Sequence, residues 1–258
     1  MRPLILITND DGILSPGLHA AVEAVQEMGD ILIAAPIRQQ TGMARSFPYL
    51  DDTGIIEEIP LEIGGKTMIG YGVHGSPAYC VAEGVMELAD RKPDLCISGI
   101  NYGENLGRVL TLSGTVGAIL EADSHEIPGL AISALADMST FFTMDYQEYS
   151  WKTAQAVTRR WAEKILKEGM PEGARMFNIN VPEGAMCDTP ERITRQALQT
   201  YFIFQKPEKR DFSKPHRIHS KIVIEEEKLE ADSDIRAACI DRVISVTPLD
   251  GDLSISIK

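Results

Sequence analysis

The sequence predicts an α/β protein: a Rossmann-like, mostly parallel sheet flanked by helices, with a smaller β-rich region towards the C-terminus. In the first half, short apolar runs without polar alternation are separated by helical patterns. Strands of a parallel sheet covered on both faces bury both sides, so this pattern is typical of them. The last third contains strand-like runs divided by charged segments. With 258 residues, 44% hydrophobic and 24% charged, the chain can form a substantial core.

The first elements along the chain form a strand–helix unit. Residues Leu4 to Thr8 are apolar and β-prone, and Ser15 with Pro16 then supply an N-cap and a first-turn proline. Helices are also expected after Ser76-Pro77 and after Ser113-Gly114. Further strands are predicted at Ile31–Ala35, Lys66–Val73, Leu95–Ser98 and Leu130–Ala134. We therefore assign residues 1–140 to a Rossmann-like core that carries the metal and phosphate site argued below.

Residues 141–258 are expected to complete this core with one helix and several strands. Apolar residues at helical spacing predict an amphipathic helix from Tyr146 to Lys167. Strands are predicted at Met176–Val181, Gln199–Phe204, Ile218–Ile224, Val243–Val246 and Leu253–Ile257. The polar stretch inside residues 199–224 predicts a protruding hairpin. A hairpin of that length cannot bury itself, so we expect it to pack on a neighbouring subunit.

Charge and composition exclude several classes of partner. The chain has 25 basic and 38 acidic residues, a net charge of −13, so a nucleic-acid polymer is not an expected partner. No apolar run approaches the ~20 residues that span a bilayer, and the N-terminal residues lack a signal-peptide pattern, so we expect a cytoplasmic protein without a membrane partner. The four cysteines are widely spaced, which predicts reduced, mostly buried side chains rather than a zinc site or disulfides.

The first candidate site is Asn9-Asp10-Asp11-Gly12, directly after the first strand. In open parallel sheets, ligands bind at the carboxyl ends of the strands. Two adjacent carboxylates repel each other unless positive charge lies beside them, and oxygen ligands favour hard cations such as Mg²⁺, Mn²⁺ or Ca²⁺. The alternative is an ordinary turn in which the aspartates accept hydrogen bonds from backbone amides. These residues alone do not decide between the two.

Two other strand ends favour the cation. The loop after the second strand contains Thr41, and the loop after the strand at Leu95–Ser98 contains Asn101. Both offer neutral oxygens on the same sheet edge as Asp10 and Asp11. Together these four side chains would leave coordination positions open for water and a phosphate, as a magnesium-type site requires. Taken singly, each neutral residue also fits an ordinary loop role.

A phosphate site is predicted at Ser113-Gly114-Thr115, where small residues open a helix. Such residues let backbone N–H groups approach an anion at the positive end of the helix. The alternative is an N-capped helix packed closely through glycine. Neither a Walker loop nor a GxGxxG fingerprint is present, so ATPase and dinucleotide-dehydrogenase interpretations lose their main support.

Several ordered motifs together give the chain its resemblance to a known family. It resembles the SurE (survival protein E) family, densely from Leu4 to Ser133 and again near the C-terminus. The motifs are Asn9-Asp10-Asp11-Gly12, Ser15-Pro16-Gly17, Ala35-Pro36 with Arg38, Pro93-Asp94, Ser98-Gly99-Ile100-Asn101, Asn105-Leu106-Gly107, Ser113 to Ala118, Asp232-Ser233-Asp234 and Val246 to Leu249.

The resemblance implies a divalent-metal-dependent phosphatase of nucleoside monophosphates that cleaves 5′- and often 3′-phosphates. It also implies a homodimer or homotetramer joined through exchanged C-terminal elements. The implied ligands of one divalent ion are Asp10, Asp11, Thr41 and Asn101. The implied phosphate-pocket residues are Asn9, Asn105, Ser113, Gly114 and Thr115.

The chain departs from the family's pattern at several positions. Thr41 stands where the family usually has serine, which retains the hydroxyl. Leu112 replaces a usual tyrosine and Tyr79 a common aspartate. These changes leave the implied metal ligands in place and bear on base preference and assembly.

The leading hypothesis is metal-assisted hydrolysis of a phosphomonoester, with Asp10 and Asp11 as the catalytic carboxylates and Asp10 as proton acceptor. One rival forms an aspartyl-phosphate, although such phosphatases carry Asp-x-Asp rather than Asn9-Asp10-Asp11. A second rival is a non-catalytic nucleotide-binding module of a stress-response assembly. The sequence does not identify the proton donor to the leaving group.

Overall fold

A nine-stranded mixed sheet organises the structure, a computed structural model that describes residues 1–135 and 149–254. The strands are β1 (Leu4–Thr8), β2 (Asp30–Pro36), β3 (Ile56–Ile63), β4 (Lys66–Val73), β5 (Leu95–Tyr102), β6 (Gly129–Ala134), β7 (Met176–Val181), β8 (Glu191–Ile193), β9 (Phe202–Phe204), β10 (Ser220–Ile222) and β11 (Ile244–Leu249). The α-helices are α1 (Pro16–Val25), α2 (Pro77–Glu83), α3 (Gly114–Ser124) and α4 (Lys152–Glu168). The predicted α/β class is confirmed.

The order of the strands places a crevice between β1 and β5. The sheet runs β3-β4-β2-β1-β5-β6-β7-β11-β8. The six neighbouring strands β4, β2, β1, β5, β6 and β7 are parallel to one another. On either side of this group, β3 pairs antiparallel with β4, and β11 pairs antiparallel with β7. The chain leaves β1 in one direction to β2 and returns on the other side at β5. Such a reversal of strand order is where open α/β sheets bind their ligands.

Apolar side chains cover both faces of the sheet, as the unbroken apolar strands predicted. Ile5 and Ile7 of β1 belong to a core with residues of α1 and α4, whereas Leu6 belongs to a second core with Val81 and Ala118. All three β1 side chains are fully buried. β1 is therefore held from both sides, which fixes the position of the residues that follow it.

Two strand predictions need correction. β3 was not predicted, because its three glutamates and Pro60 resemble a polar loop; it is an edge strand, where one face is solvated and a proline is tolerated. β5 continues through Tyr102, so Asn101 lies at the end of a strand and not in the loop beyond Ser98. The glycine at 99 hides this continuation, and the pairing register of β5 with β6 shifts between Ser98 and Asn101.

The C-terminal predictions differ in extent. α4 begins at Lys152, and the predicted start at Tyr146 lies outside the described residues. The strand predicted at Leu253–Ile257 lies mostly outside them as well; Leu253 itself is not in a strand. The strands predicted from Gln199 and Ile218 shorten to β9 and β10, which pair antiparallel and expose Phe204.

The prediction that the cysteines are mostly buried holds for two of the four. All four cysteines are free. Cys80 and Cys96 are buried, whereas Cys239 is half-buried and Cys187 is exposed in a polar turn. Within residues 1–135 and 149–254, no helix combines the length and apolarity needed to cross a membrane.

Candidate active site

The candidate site lies at the carboxyl ends of β1 and β5, where the strand order reverses. Thr8, the last residue of β1, pairs with Ser98 of β5, so the residues that follow β1 lie beside the last four residues of β5. Asp10 and Asp11 follow β1, and Asn101 is near the end of β5. Four segments distant in sequence meet here, and hydrogen bonds to the two aspartates join them.

The carboxyl groups of Asp10 and Asp11 are both buried, with the residues only 5% and 3% exposed. Asp10 Oδ1 accepts a hydrogen bond of 2.8 Å from the Thr115 hydroxyl, and Asp11 Oδ2 accepts one of 3.2 Å from the backbone N–H of Tyr102. Asp10 is thereby joined to α3 and Asp11 to β5. The pair lies between helix α3 and strand β5 and is held by both.

The loop after β2 reaches the same place through its backbone and one amide. Gln40 donates its N–H to the Asp10 carbonyl at 2.7 Å, and Gln39 Nε2 lies 3.4 Å from Asp11 Oδ1. Thr41, the next residue, is exposed. Among the described residues, no hydrogen bond joins its hydroxyl to either aspartate. The structure thus brings Thr41 to the edge of the site, and its role as a cation ligand stays a prediction.

Asn101 is only 8% exposed, and one half of its amide is engaged. Its Nδ2 donates to the Gly103 carbonyl at 2.9 Å, which orients the side chain. No hydrogen bond within the described residues uses its Oδ1, so this oxygen is available to a ligand. The neighbouring Tyr102 amide on Asp11 places Asn101 beside the carboxylate pair.

The N-terminus of α3 closes the site on the side of Asp10. Ser113 is the N-cap, and its Oγ accepts from the Val116 N–H at 3.1 Å, which leaves the hydroxyl hydrogen free to donate. Gly114 lies so close that a Cβ added there would be 2.8 Å from Asp10 Cβ and 3.0 Å from its Oδ2. The helix end therefore presents its positive pole to the carboxylates.

The two other predicted pocket residues differ in what their side chains do. Asn9 stabilises the turn after β1, donating from Nδ2 to the Gly12 carbonyl at 3.1 Å and accepting from the Gly12 N–H at 3.2 Å. Asn105 faces the site interior, where its Nδ2 lies 2.9 Å from Ser133 Oγ and 3.4 Å from Thr115 Oγ1. The Asn105 amide is therefore a direct hydrogen-bond partner of the Thr115 hydroxyl, which in turn donates to Asp10.

Sequence reasoning missed the residues that support Asn105. Asn178 and Asn180 of β7 are fully buried, and both hydrogen-bond the backbone of Asn105. One signal was available: two amides two residues apart, in a strand that is otherwise apolar, point to the same face. Buried amides need partners, so this spacing predicts a buried polar contact on that face.

Burial makes the carboxylate pair basic. Desolvation raises the pKa of Asp10 above its usual value, although hydrogen bonds from Thr115 oppose the shift. Desolvation also raises the pKa of Asp11, and the negative charge of Asp10 raises it further. No Lys, Arg or His in the described part of the chain forms an ion pair with Asp10. The pair therefore favours a proton or a cation.

The residues fit a hard divalent cation. Residues 1–135 and 149–254 contain no cluster of three His, Cys, Asp or Glu side chains that could bind a metal, so a cation at this site would have the two aspartates as its charged ligands. The neutral oxygens of Asn101 and Thr41 would complete a set of oxygen ligands. Such a set suits Mg²⁺ or Mn²⁺ and leaves room for water and phosphate oxygens.

A pH dependence of stability follows for the metal-free protein. Both folded-state pKa values lie above the unfolded value, so the stability contribution is fully present below the unfolded pKa of 3.8 and is lost as the pH rises through the folded pKa values. We expect the melting temperature of protein in EDTA to fall between about pH 5 and pH 8. Saturating Mg²⁺ or Mn²⁺ should raise it by about 5–10 °C at pH 8 and by less at pH 5. Equal shifts at both pH values would contradict burial of these charges.

Comparison with known proteins identifies the family of the chain. A family model described as Survival protein SurE matches residues 5–202, more than half of the chain. The chain belongs to the SurE family. The resemblance inferred from the sequence motifs is thereby confirmed. The matched range contains all nine residues predicted for the metal and phosphate sites.

SurE proteins from archaea are among its most similar relatives. The chain is 42% identical over 205 residues to the 5'-nucleotidase SurE of Methanocella arvoryzae, covering 76% of this chain and 73% of the relative. It is 37% identical over 253 residues to the 5'-nucleotidase SurE of Methanosarcina mazei, covering 96% and 92%. The solved structure of the SurE protein from Aquifex aeolicus matches with a TM-score of 0.74 and 31% identity, covering 98% of this chain and 95% of that one.

Proposed function

We propose that this SurE chain hydrolyses nucleoside 5′-monophosphates to a nucleoside and inorganic phosphate, using one divalent cation held by Asp10, Asp11, Thr41 and Asn101. The observation that carries the proposal is the buried Asp10–Asp11 pair facing the positive end of α3 at the β1/β5 crevice. A cation would bind at the carboxylates, and a phosphate group would bind at the positive end of the helix. Relatives that cover nearly the whole chain carry the name 5'-nucleotidase SurE, which supports the same reaction. The sequence resemblance extends the proposal to 3′-monophosphates.

The residues of the helix end would bind the transferred group. The Gly114 backbone and the Ser113 hydroxyl supply donors where phosphate oxygens would lie, and the helix dipole favours their negative charge. Asn105 adds an amide on the far side of Thr115. When bound, the cation supplies Lewis-acid stabilisation of phosphate charge and lowers the pKa of a coordinated water.

Asp10 is the proposed proton acceptor. Its buried carboxylate adjoins Gly114, at the proposed phosphate position, and would take a proton from an attacking water there. The hydrogen bond from Thr115 holds Oδ1, so Oδ2, the oxygen nearer Gly114, faces the phosphate position. Asp11 contributes charge and binding, held in place by the Tyr102 amide.

The test is phosphate release from a panel of ribonucleoside 5′- and 3′-monophosphates with Mg²⁺, with Mn²⁺ and with EDTA. We expect release that requires the cation and is abolished by the chelator. A non-catalytic nucleotide-binding module instead predicts tight nucleotide binding and no release at any cation concentration, which would overturn the proposal. A phosphoenzyme trapped on Asp10 or Asp11 would replace direct attack by water with the covalent mechanism.

Assembly is part of the same proposal. The hairpin of β9 and β10 exposes Ile203, Phe204 and Ile222, and Phe212 between the two strands is 87% exposed. Apolar side chains on a protruding hairpin favour contact with a second subunit. A homodimer or homotetramer is the state that the family resemblance predicts. The cytoplasmic location stays a prediction from the sequence.

A further inference from the structure

Two buried side-chain amides of β7 hydrogen-bond the backbone of Asn105. Asn180 Oδ1 accepts the Asn105 N–H at 2.8 Å, and Asn180 Nδ2 donates to the Asn105 carbonyl at 3.1 Å. Asn178 Nδ2 donates to the same carbonyl at 2.8 Å. Both side chains are 0% exposed, on a central strand of the sheet. The backbone N–H and C=O of Asn105 are therefore both held from β7.

The two β7 amides are connected to the Asp10–Asp11 pair through the side chain of Asn105. Asn105 Nδ2 lies between Ser133 Oγ and Thr115 Oγ1, and the Thr115 hydroxyl donates to Asp10. No hydrogen bond within the described residues joins Asn178 or Asn180 to Asp10, Asp11 or α3. The hydrogen bonds of the two β7 amides therefore reach the site through Asn105.

Two buried asparagines on β7 lower the stability of the fold relative to apolar residues, which makes a purely structural purpose a poor explanation for them. The side chains of β7 lie among buried strands, where apolar residues would pack without polar atoms to satisfy. Asn178 Oδ1 is buried with no hydrogen-bond partner among the described residues, so this side chain is used only as a donor. A buried polar atom left without a partner lowers stability, and such groups are uncommon in folded proteins. Both β7 amides hydrogen-bond Asn105, and the support of Asn105 explains why two asparagines stand at these buried positions.

Asn105 needs such support because of where it lies. Residues 103–106 have no regular secondary structure, so no helix or sheet ladder fixes the backbone at this point. An amide that must stay beside Thr115 therefore requires hydrogen bonds from outside its own segment. The side chains of β7 provide three of them on a rigid strand.

We propose that Asn178 and Asn180 are positioning residues of the phosphate site, which hold the Asn105 backbone so that its side-chain amide faces the phosphate beside Thr115. This inference rests on the proposed function, since it assigns the Asn105 amide to a phosphate oxygen. It predicts that the β7 amides affect phosphate recognition and turnover and leave cation binding unchanged.

A double-mutant cycle between Asn180→Ala and Asn105→Ala tests the inference. Each single variant should lower kcat/KM by about 10–100-fold, since small misplacements of binding groups have effects of that size. The double variant should be no worse than Asn105→Ala alone, because Asn180 acts only through Asn105. Ser245→Ala is the matched control: Ser245 pairs with Asn180 in the sheet and is fully buried, but it bonds Thr194. It should keep wild-type kcat/KM.

A second measurement separates this inference from the proposed function. Protection by inorganic phosphate in thermal unfolding, at fixed Mn²⁺, reports the phosphate site without turnover. Asn180→Ala should weaken the apparent phosphate affinity about as much as Asn105→Ala does, whereas Mn²⁺ affinity measured alone stays within about twofold. A wild-type protein that binds phosphate but releases none from nucleotides would overturn the proposed function and leave the cycle measurable.

Two results would overturn the inference. One is multiplicative losses in the Asn105/Asn180 double variant, which would give Asn180 a role independent of Asn105. The other is wild-type phosphate affinity in a folded Asn180→Ala protein. If that variant does not fold, Asn178→Ala, which removes a single donor, takes its place in the same cycle with the same expected pattern.

Discussion

Replacing Asp10 by asparagine is expected to lower kcat/KM for nucleotide hydrolysis by more than about 100-fold and to raise the melting temperature of the metal-free protein. The substitution keeps the shape of the side chain and an oxygen for the Thr115 hydroxyl. It removes the negative charge that we propose binds the cation and the base that we propose takes the proton. It also removes a buried charge, and the neighbouring Asp11 loses a like charge that raises its pKa.

The two readouts together make this prediction specific. A variant that is merely damaged would lose activity and stability at once, whereas here the two move in opposite directions. Asp30→Asn is the control: Asp30 begins β2 at the opposite edge of the sheet, and its side chain is 58% exposed. It should change neither quantity. A loss of less than about tenfold in Asp10→Asn would contradict a ligand role, since even supporting residues around metal sites often cost 10–100-fold.

Adding one methyl group at Gly114 is expected to lower kcat/KM by about 100-fold. A Cβ at this position would lie 2.8 Å from Asp10 Cβ, closer than Cβ atoms approach other atoms, and 3.1 Å from Pro77 Cγ, which is a tight contact. Asp10 or the start of α3 must move, and either movement separates the carboxylate from the helix end. Because the methyl sits beside Asp10 Oδ2, both the cation and the phosphate position are disturbed.

Gly173→Ala is the matched control for this variant. A Cβ at Gly173 meets nothing within 4 Å, but the residue has a φ of +79°, which side chains rarely adopt. We expect this variant to lose some stability and to keep wild-type kcat/KM. Steady-state kinetics and thermal unfolding of the two proteins therefore separate the effect of backbone strain from the effect of the contact with Asp10. Unchanged turnover in Gly114→Ala would contradict close contact between α3 and the carboxylate.

The meeting of Asp10, Asp11 and Ser113 at one edge of the sheet could be predicted because these residues adjoin elements with clear signals. Leu4 to Thr8 is a short apolar run, and Asp10 and Asp11 come directly after it. Ser113 is an N-cap before a helix, a position that sequence alone identifies. Since parallel strands and helix N-termini meet at one edge of such a sheet, these residues could be expected to lie close together.

The rest of the site depends on contacts that no local pattern encodes. The hydrogen bond from Thr115 to Asp10 joins residues 105 positions apart in the sequence. The hydrogen bonds from β7 to Asn105 join residues 73 and 75 positions apart. The edge strand β3 was missed for a related reason: its pairing with β4 decides its conformation, and its glutamates suit the solvated face. Local sequence predicts elements with a buried face and fails where tertiary pairing selects the structure.

The central claim is that the buried Asp10–Asp11 pair binds one divalent cation beside the positive end of α3. Titration of the metal-free protein with Mn²⁺, with free Mn²⁺ followed by electron paramagnetic resonance, measures this directly. The account predicts one Mn²⁺ bound per chain in the wild type and loss of that binding in both Asp10→Asn and Asp11→Asn. Binding of Mn²⁺ with unchanged affinity and stoichiometry in either variant, or no binding by the wild type, would contradict it.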